Sequence, residues 1–365
     1  MSGKFIRKRF SEIDLNDPFF DSLKADYPGT STSTGFIQWF DKKSREGKEA
    51  LVFEDNQGIG AFVNIKPNEE EAIQLSDGTV LPEAHRFKIS TIKIDERYRN
   101  RRIGEGALGL TLWQWRDSGV DEIYVTVFEK QGRLISLLEK YGFINVGNNL
   151  NGERVYIKDR RKIDFSDPCK AFPFLSNEIQ YAGCLAIDMD YHDTMFAYSD
   201  LANTLQDRVD MSVANGLKKV YIGSPYSLAF KVGEPVLIYR KYTGTNGSKG
   251  YKSVITSYCI VTKIEKIKAN GVVLYTFPEY LHMIGNKSVY TESQLKEIYD
   301  TNKELTLIEL LYYGFFGVGN NVNWHWLNEN GCSFNTHPMS VHYTRSQFEK
   351  ILREGNVDVN NIIIN

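Results

Sequence analysis

Two periodicities of apolar residues run along the first 158 positions, and the places where one gives way to the other predict the elements. Phe5 to Phe10 reads as a short opening strand, Asp17-Pro18 ahead of Phe19 and Phe20 is a helix start, and a second helix is expected from Gly35 to Arg45. β-rich runs at Ala50 to Glu54 and Gly60 to Lys66 flank Asn56-Gln57-Gly58, which is hairpin punctuation. Phe87 to Ile94 sets Ile89, Ile92 and Ile94 among polar residues and predicts a strand. The stripe Ala107, Leu108, Leu110, Thr111, Leu112 and Trp115 predicts a helix from Gly104 to Arg116. A strand at Ile123 to Phe128, a helix at Gly132 to Tyr141, and a strand pair at Ile144 to Val146 and Arg154 to Ile157 complete the order β-α-α-β-β-β-α-β-α-β-β. A central mixed sheet with helices on its faces is the economical packing of that order.

After Lys158 to Lys162, a charged run, and the turn-rich Asp164 to Pro168, the texture changes to short β-rich runs. Strands are expected at Lys219 to Ile222, Pro235 to Tyr242, Tyr251 to Val261 continuing to Ile267, and Glu309 to Phe315. Helices are expected at Ser199 to Ala214, Pro278 to Ile284, Thr291 to Tyr299 and Thr344 to Glu354. This mixture predicts a small curved or barrel-like sheet with helices over its openings. The domains are then 1–158 and 181–365, joined by a linker at 159–180, and the fold class is α/β (α+β).

Composition narrows the function classes. A chain of 365 residues that is 42% hydrophobic and 25% charged buries sizeable cores, which excludes a disordered protein. No run approaches the length of a membrane span, and Met1 to Phe10 is basic without the apolar stretch of a signal peptide, so a cytoplasmic protein with no membrane partner is expected. Cys169, Cys184, Cys259 and Cys332 lie far apart, and His192, His282, His337 and His342 are scattered; reduced thiols and no metal site follow. The net charge of −2 hides two basic stretches. Arg86 to Arg116 holds eight basic residues against three acidic, and Pro225 to Lys287 holds nine against three, so either can meet an anion. Asp188 to Asp210, with six aspartates, is among the acidic segments that balance them.

The first basic stretch contains Arg101-Arg102-Ile103-Gly104-Glu105-Gly106-Ala107, which follows a strand and opens a helix. Backbone N–H groups project there and the helix dipole favours anions, Gly104 and Gly106 permit close backbone approach, and Arg99, Arg101 and Arg102 add charge. Phosphate is the matching ligand. The spacing R-x-x-G-x-G, the following strand, and the helix ending at Leu137 to Phe143 resemble the Gcn5-related N-acetyltransferases (GNAT) over residues 1–158. The resemblance implies that Arg101 to Ala107 hold the pyrophosphate of acetyl-CoA. It implies further that the edge of the strand at Ile92, Lys93 and Ile94 hydrogen-bonds the pantetheine arm, with Ile92 or Lys93 N–H polarising the acetyl carbonyl. An amine then attacks the thioester directly. Many family members carry a tyrosine four residues before the glycine that ends the helix; Leu138 stands there, and Tyr141, three residues on, is rotated by roughly 60° and raised by about 4.5 Å. Tyr141 remains a candidate acid, and Glu83 and His85, ahead of the strand from Phe87, are candidate bases.

In the second half, Lys231 to Arg240 reads as a turn into a strand ending in Tyr239-Arg240, and Tyr251 to Val261 reads as its partner. These segments resemble the PUA-like superfamily (EVE/ASCH-type), which implies a β-barrel with covering helices that binds RNA or a modified base. The ASCH hydrolase signature G-x-K-x-x-E-x-R is absent, so hydrolysis is not implied. Tyr239, Arg240, Lys241, Tyr242, Lys249, Tyr251 and Lys252 interleave rings with cations, and Trp324-His325-Trp326 beside Asn320, Asn321 and Asn323 offers a base-reading wall, with Trp326 its stacking ring. The function expected is an acetyl-CoA-dependent N-acyltransferase whose amine acceptor is selected by the C-terminal domain. The alternative is a non-catalytic CoA-sensing or nucleic-acid-binding protein that retains the cofactor pocket.

Overall fold

The computed structural model describes residues 4–30, 34–98, 100–199, 212–224, 228–334 and 337–365. The chain divides into two units, Met1–Lys162 and Ile163–Asn365.

The first unit runs β1 (Lys4–Arg9), α1 (Asp21–Asp26), α2 (Phe36–Arg45), β2 (Glu49–Asp55), β3 (Gly58–Glu69), β4 (Ile73–Gln74), β5 (Val80–Leu81), β6 (Arg86–Ile94), α3 (Ile103–Ser118), β7 (Glu122–Val127), α4 (Gly132–Lys140), β8 (Ile144–Asn148) and β9 (Arg154–Asp159). Apart from the small hairpin β4–β5, this is the expected order. Seven strands make one sheet in the order β1-β2-β3-β6-β7-β9-β8, antiparallel except for β6 with β7. On one face Phe10, Phe20, Phe36, Phe40 and Phe62 bury the short helices α1 and α2 against β2 and β3. The other face is covered by α3, whose Ile103, Ala107, Leu108, Leu112 and Trp115 are fully buried.

The parallel pair fixes the place where a site can form. β6 and β7 are paired only from Arg86↔Glu122 to Ile89↔Val125, while β6 continues to pair β3 as far as Ala61↔Ile94. At the parting point the β3–β6 register jumps from Ile65↔Ile89 to Asn64↔Thr91, leaving Ser90 as a bulge that bends the strand. Beyond Ser90 the β7-facing edge of β6 is open, and the burial changes with it: residues up to Ile89 are mostly buried, and Ser90 to Ile94 are half-buried.

The second unit runs α5 (Pro168–Ala171), β10 (Leu175–Ser176), β11 (Tyr181–Asp188), α6 (Met189–Met195), α7 (Ser212–Asn215), β12 (Lys218–Gly223), β13 (Pro235–Lys241), α8 (Lys249–Lys252), β14 (Val254–Ala269), β15 (Val272–Val273), α9 (Phe277–Ile284), α10 (Glu292–Thr301), β16 (Leu305–Phe315), β17 (Val322–Asn323), α11 (Trp324–Glu329), β18 (His342–Thr344), α12 (Arg345–Glu354), α13 (Val359–Ile362) and β19 (Ile363–Ile364). The stretch read as a linker is largely part of this unit. Asp167 caps α5 by accepting from the Cys169 N–H, and Cys169, Ala171, Phe172, Phe174 and Leu175 are buried, so the turn residues at Asp164 to Pro168 start a helix. The main sheet follows the path β12-β16-β14-β13-β11-β18. Among the described residues no strand pairing closes this path into the expected barrel. Helix α6, which leaves β11 near one edge, brings Phe196 to Tyr312 of β16 and to the Lys219 ammonium of β12, so side chains span what strand pairing leaves open. Of the helix expected at Ser199 to Ala214, residues 200–211 lie outside the described residues; Ser199 is not helical and Ser212 to Ala214 are.

Candidate active site

Helix α3 begins at the mouth of the gap between β6 and β7. Arg102, its N-cap, takes a left-handed backbone (φ 58°), and the first helical bond runs from the Gly106 N–H to the Arg102 carbonyl, so the N–H groups of Ile103 and Gly104 project beyond the helix ladder. A Cβ on Gly104 would meet Ile94 of β6 and Leu137 of α4 at 3.7 Å each, which is ordinary contact. The chain's own packing therefore does not demand glycine at this position.

The loop's side chains divide between outside and inside. Arg101 is exposed, with its guanidinium 5.4 Å from the Tyr98 ring centre, while Arg99 lies outside the described residues. Arg102 turns inward: its side chain is 9% exposed, and Nε and Nη2 donate to Glu105 Oε2 at 2.9 and 2.7 Å. Glu105 Oε1 accepts from the Tyr141 hydroxyl at 2.7 Å, with Lys140 Nζ 3.9 Å away. Burial pushes the Glu105 carboxyl up, but Arg102, Lys140 and the Tyr141 hydroxyl outweigh it, and its pKa lies below the usual value. Arg102 Nη1 is buried with no hydrogen-bond partner among the described residues, a donor left over at the start of α3. Ile103, Gly106 and Ala107 are buried beneath the loop.

Tyr141 has no exposed surface, and its hydroxyl serves the Arg102–Glu105 clamp. Leu138 is likewise fully buried. Glu83 and His85 are exposed at the opening end of β6, where His85 Nε2 lies 2.9 Å from Asn68 Oδ1. Five residue steps along the strand, roughly 16 Å, separate His85 from the bulge at Ser90. Ile92, Lys93 and Ile94 form the open edge itself. The Lys93 side chain runs to the α1 face, over the Phe19 ring and onto the Phe19 carbonyl and Ser22 hydroxyl, and burial lowers its pKa.

The residues singled out in the second unit are brought together only in part. Tyr239 is 6% exposed and packs edge-on against Phe334. Arg240 is also buried, donating to both carboxylate oxygens of Asp193 at 2.7 and 2.8 Å; neither reaches solvent as a nucleic-acid contact needs. Lys241 pairs with Asp188 at 3.2 Å, and Lys252 folds over the Tyr242 ring onto the Asn246 carbonyl. What does face outward is Tyr251, 59% exposed, its ring 5.1 Å from that of His325, with half-buried Trp324 and Trp326 on the same short helix as His325 and Lys350 Nζ 5.8 Å from the Trp326 ring centre. Asn323 caps that helix, its Oδ1 accepting from the Trp326 N–H at 2.9 Å. Sequence reasoning missed the buried array in which His192 bridges Asp193 (2.9 Å) and Thr256 (2.7 Å). Thr256 has no exposed surface, so this array ties α6 to the sheet and offers no nucleophile. Among the described residues no cluster of His, Cys, Asp and Glu can hold a metal, all four cysteines are buried and form no disulfide, and no helix is long and apolar enough to cross a membrane.

Residues 16–143 match the acetyltransferase (GNAT) family. No curated protein matches the chain. Solved structures similar to it include Ard1 from Thermoplasma volcanium, 13% identical, covering 43% of this chain and 95% of that one with a TM-score of 0.30. An N-acetyltransferase from Staphylococcus aureus Mu50 is 18% identical and covers 43% and 98%, with a TM-score of 0.29. An ASCH protein from Zymomonas mobilis is 12% identical and covers 49% and 98%, with a TM-score of 0.30.

Proposed function

We propose that the first unit transfers an acetyl group from acetyl-CoA to an amine, and that the second unit selects the acceptor. The observation that carries this reading is the parting of β6 from β7 at Ser90, with the start of α3 at the mouth of the gap. Acetyl-CoA supplies an activated thioester. The Ile103 and Gly104 N–H groups, the Arg101 guanidinium and the leftover Arg102 Nη1 would hold its diphosphate. The β7-facing edge of β6 from Ser90 to Ile94 would take an extended arm by adding backbone hydrogen bonds, as an extra strand does. An N–H on that edge, from Ile92 or Lys93, would polarise the carbonyl. The Arg102–Glu105–Tyr141 clamp keeps the loop rigid; it leaves proton delivery to water or to another hydroxyl, and by register Ser90, Thr91 and Thr126 stand nearest the parting point.

The test is isothermal titration of acetyl-CoA into the whole chain. Saturable binding is expected, and Gly104→Trp abolishes it, because Gly104 is half-buried with its Cβ direction between Ile94 and Leu137, and an indole there fills the mouth of the gap. Unchanged affinity in a Gly104→Trp protein whose thermal unfolding is native overturns the assignment. For the second unit, exposed Tyr251 against His325, with Lys249 at the start of the same turn, favours single-stranded nucleic acid or an acceptor linked to it.

A further inference from the structure

Three carboxylates are buried in the first unit, and two of them hold cations. Glu69, 2% exposed, pairs with Lys66 at 2.9 Å and Lys88 at 3.5 Å, and Glu105, 8% exposed, pairs with Arg102 at 2.7 Å. Glu153, 5% exposed, has only neutral donors: the Tyr27 hydroxyl on Oε1 at 2.7 Å and the Asn149 amide on Oε2 at 2.9 Å. Among the described residues no Lys, Arg or His forms an ion pair with it. A carboxylate taken out of water with no opposite charge is costly, so the partner that this site lacks is a cation.

Its place in the fold indicates where that cation comes from. β9 opposes β7 with Val127↔Arg154, so Glu153, one residue before β9, stands level with Phe128, one residue past the end of β7 that has left β6. The Tyr27 ring packs on Phe128 with centres 5.5 Å apart. Tyr27 is held there by the Phe36 N–H, which donates to its carbonyl at 2.9 Å, and Gly35 lies so close to Gly29 that a Cβ on it would come within 2.8 Å of the Gly29 backbone. Burial, Glu153 and Asp26 all push the Tyr27 phenol up, so it remains a proton donor at neutral pH. Asp26 is already matched by Lys130. Glu153 is the buried carboxyl group beside the open strand end that is held by neutral donors alone among the described residues.

We infer that Glu153, flanked by Tyr27 and Phe128, is the subsite for the ammonium group of a cationic acceptor. This rests on the transferase reading and narrows its substrate class to primary alkylammonium compounds. The test labels the full chain with 3-fluorotyrosine, assigns the Tyr27 resonance by its loss in Tyr27→Phe, and titrates n-butylammonium, with n-butanol as the neutral control. The Tyr27 resonance should shift saturably with butylammonium and stay in place with butanol, and Glu153→Gln should weaken the response about tenfold or more, as loss of a charge-assisted hydrogen bond does. Glu153→Asp, which keeps the charge and withdraws it by one methylene, should also bind less tightly and serves if Glu153→Gln does not fold. A Tyr27 resonance indifferent to butylammonium in the wild type, or wild-type affinity in a folded Glu153→Gln protein, overturns the inference. Titration of acetyl-CoA in the same samples is a separate readout, since Glu153 lies outside the phosphate loop: its failure counts against the transferase reading, and its success leaves the Tyr27 shift to decide the subsite.

Discussion

Tyr141→Phe separates a structural tyrosine from a catalytic one. The ring has no exposed surface and phenylalanine refills its place, so the only thing lost is the hydroxyl that donates to Glu105 Oε1 at 2.7 Å. Glu105 keeps Arg102, but a buried, charged acceptor loses one of its donors, which costs about 1.5–3 kcal/mol. For a unit of this size about 2 kcal/mol corresponds to a fall of roughly 4–8 °C in Tm. Calorimetry on the full chain should show this fall in the transition that acetyl-CoA raises, because a ligand of the folded state marks the unit that binds it. Turnover, followed as free CoA released with n-butylamine as acceptor, should stay within about tenfold of the wild type, below the range of roughly 10²–10⁴ that a general acid supplies. A hundredfold loss of turnover with an unchanged Tm would refute the reasoning and return Tyr141 to the role of proton donor.

Glu309 is held at about 2: burial raises it, but hydrogen bonds and charges from Lys218 and Lys287 prevail. A depressed carboxyl stabilises the fold above its unfolded value of 4.5 and loses that contribution as pH falls toward 2, so urea midpoints of the second unit should drop across this window, and Glu309→Gln should flatten the dependence. Tyr251→Ala should weaken single-stranded RNA binding about tenfold in filter assays at low salt, the range of one lost base stack, and no binding by the wild type would retire the nucleic-acid reading.

The first unit was legible because its strands and helices are local. Ile89, Ile92 and Ile94, then the stripe from Ala107 to Trp115, announce β6 and α3 within a few residues of their observed bounds. What could not be read there is the direction of a side chain in a turn. Arg102 counts as a phosphate ligand by spacing, yet its side chain folds inward onto the carboxylate three residues on, which takes Nε and Nη2. Glu153 went unremarked for a related reason. The Asn149 to Gly152 turn was visible, but the Tyr27 hydroxyl that meets Glu153 lies 126 residues away.

The second unit shows why a charge count along the chain does not give a charged surface. The stretch from Pro225 to Lys287 carries a local excess of cations, but Arg240, Lys241 and Lys287 are met in space by Asp193, Asp188 and Glu309, all from outside it. Lys268 is buried on the Tyr299 carbonyl. The aspartate-rich run after Asp188 is thus in part the complement of the basic run, brought to it by the parallel pairing of β11 with β13, which sets Asp188 opposite Lys241. If the second unit takes single-stranded nucleic acid, as proposed, the exposed rings, Tyr251 foremost, carry more of its recognition than net charge does, so its affinity should depend on salt more weakly than the count of lysines and arginines suggests.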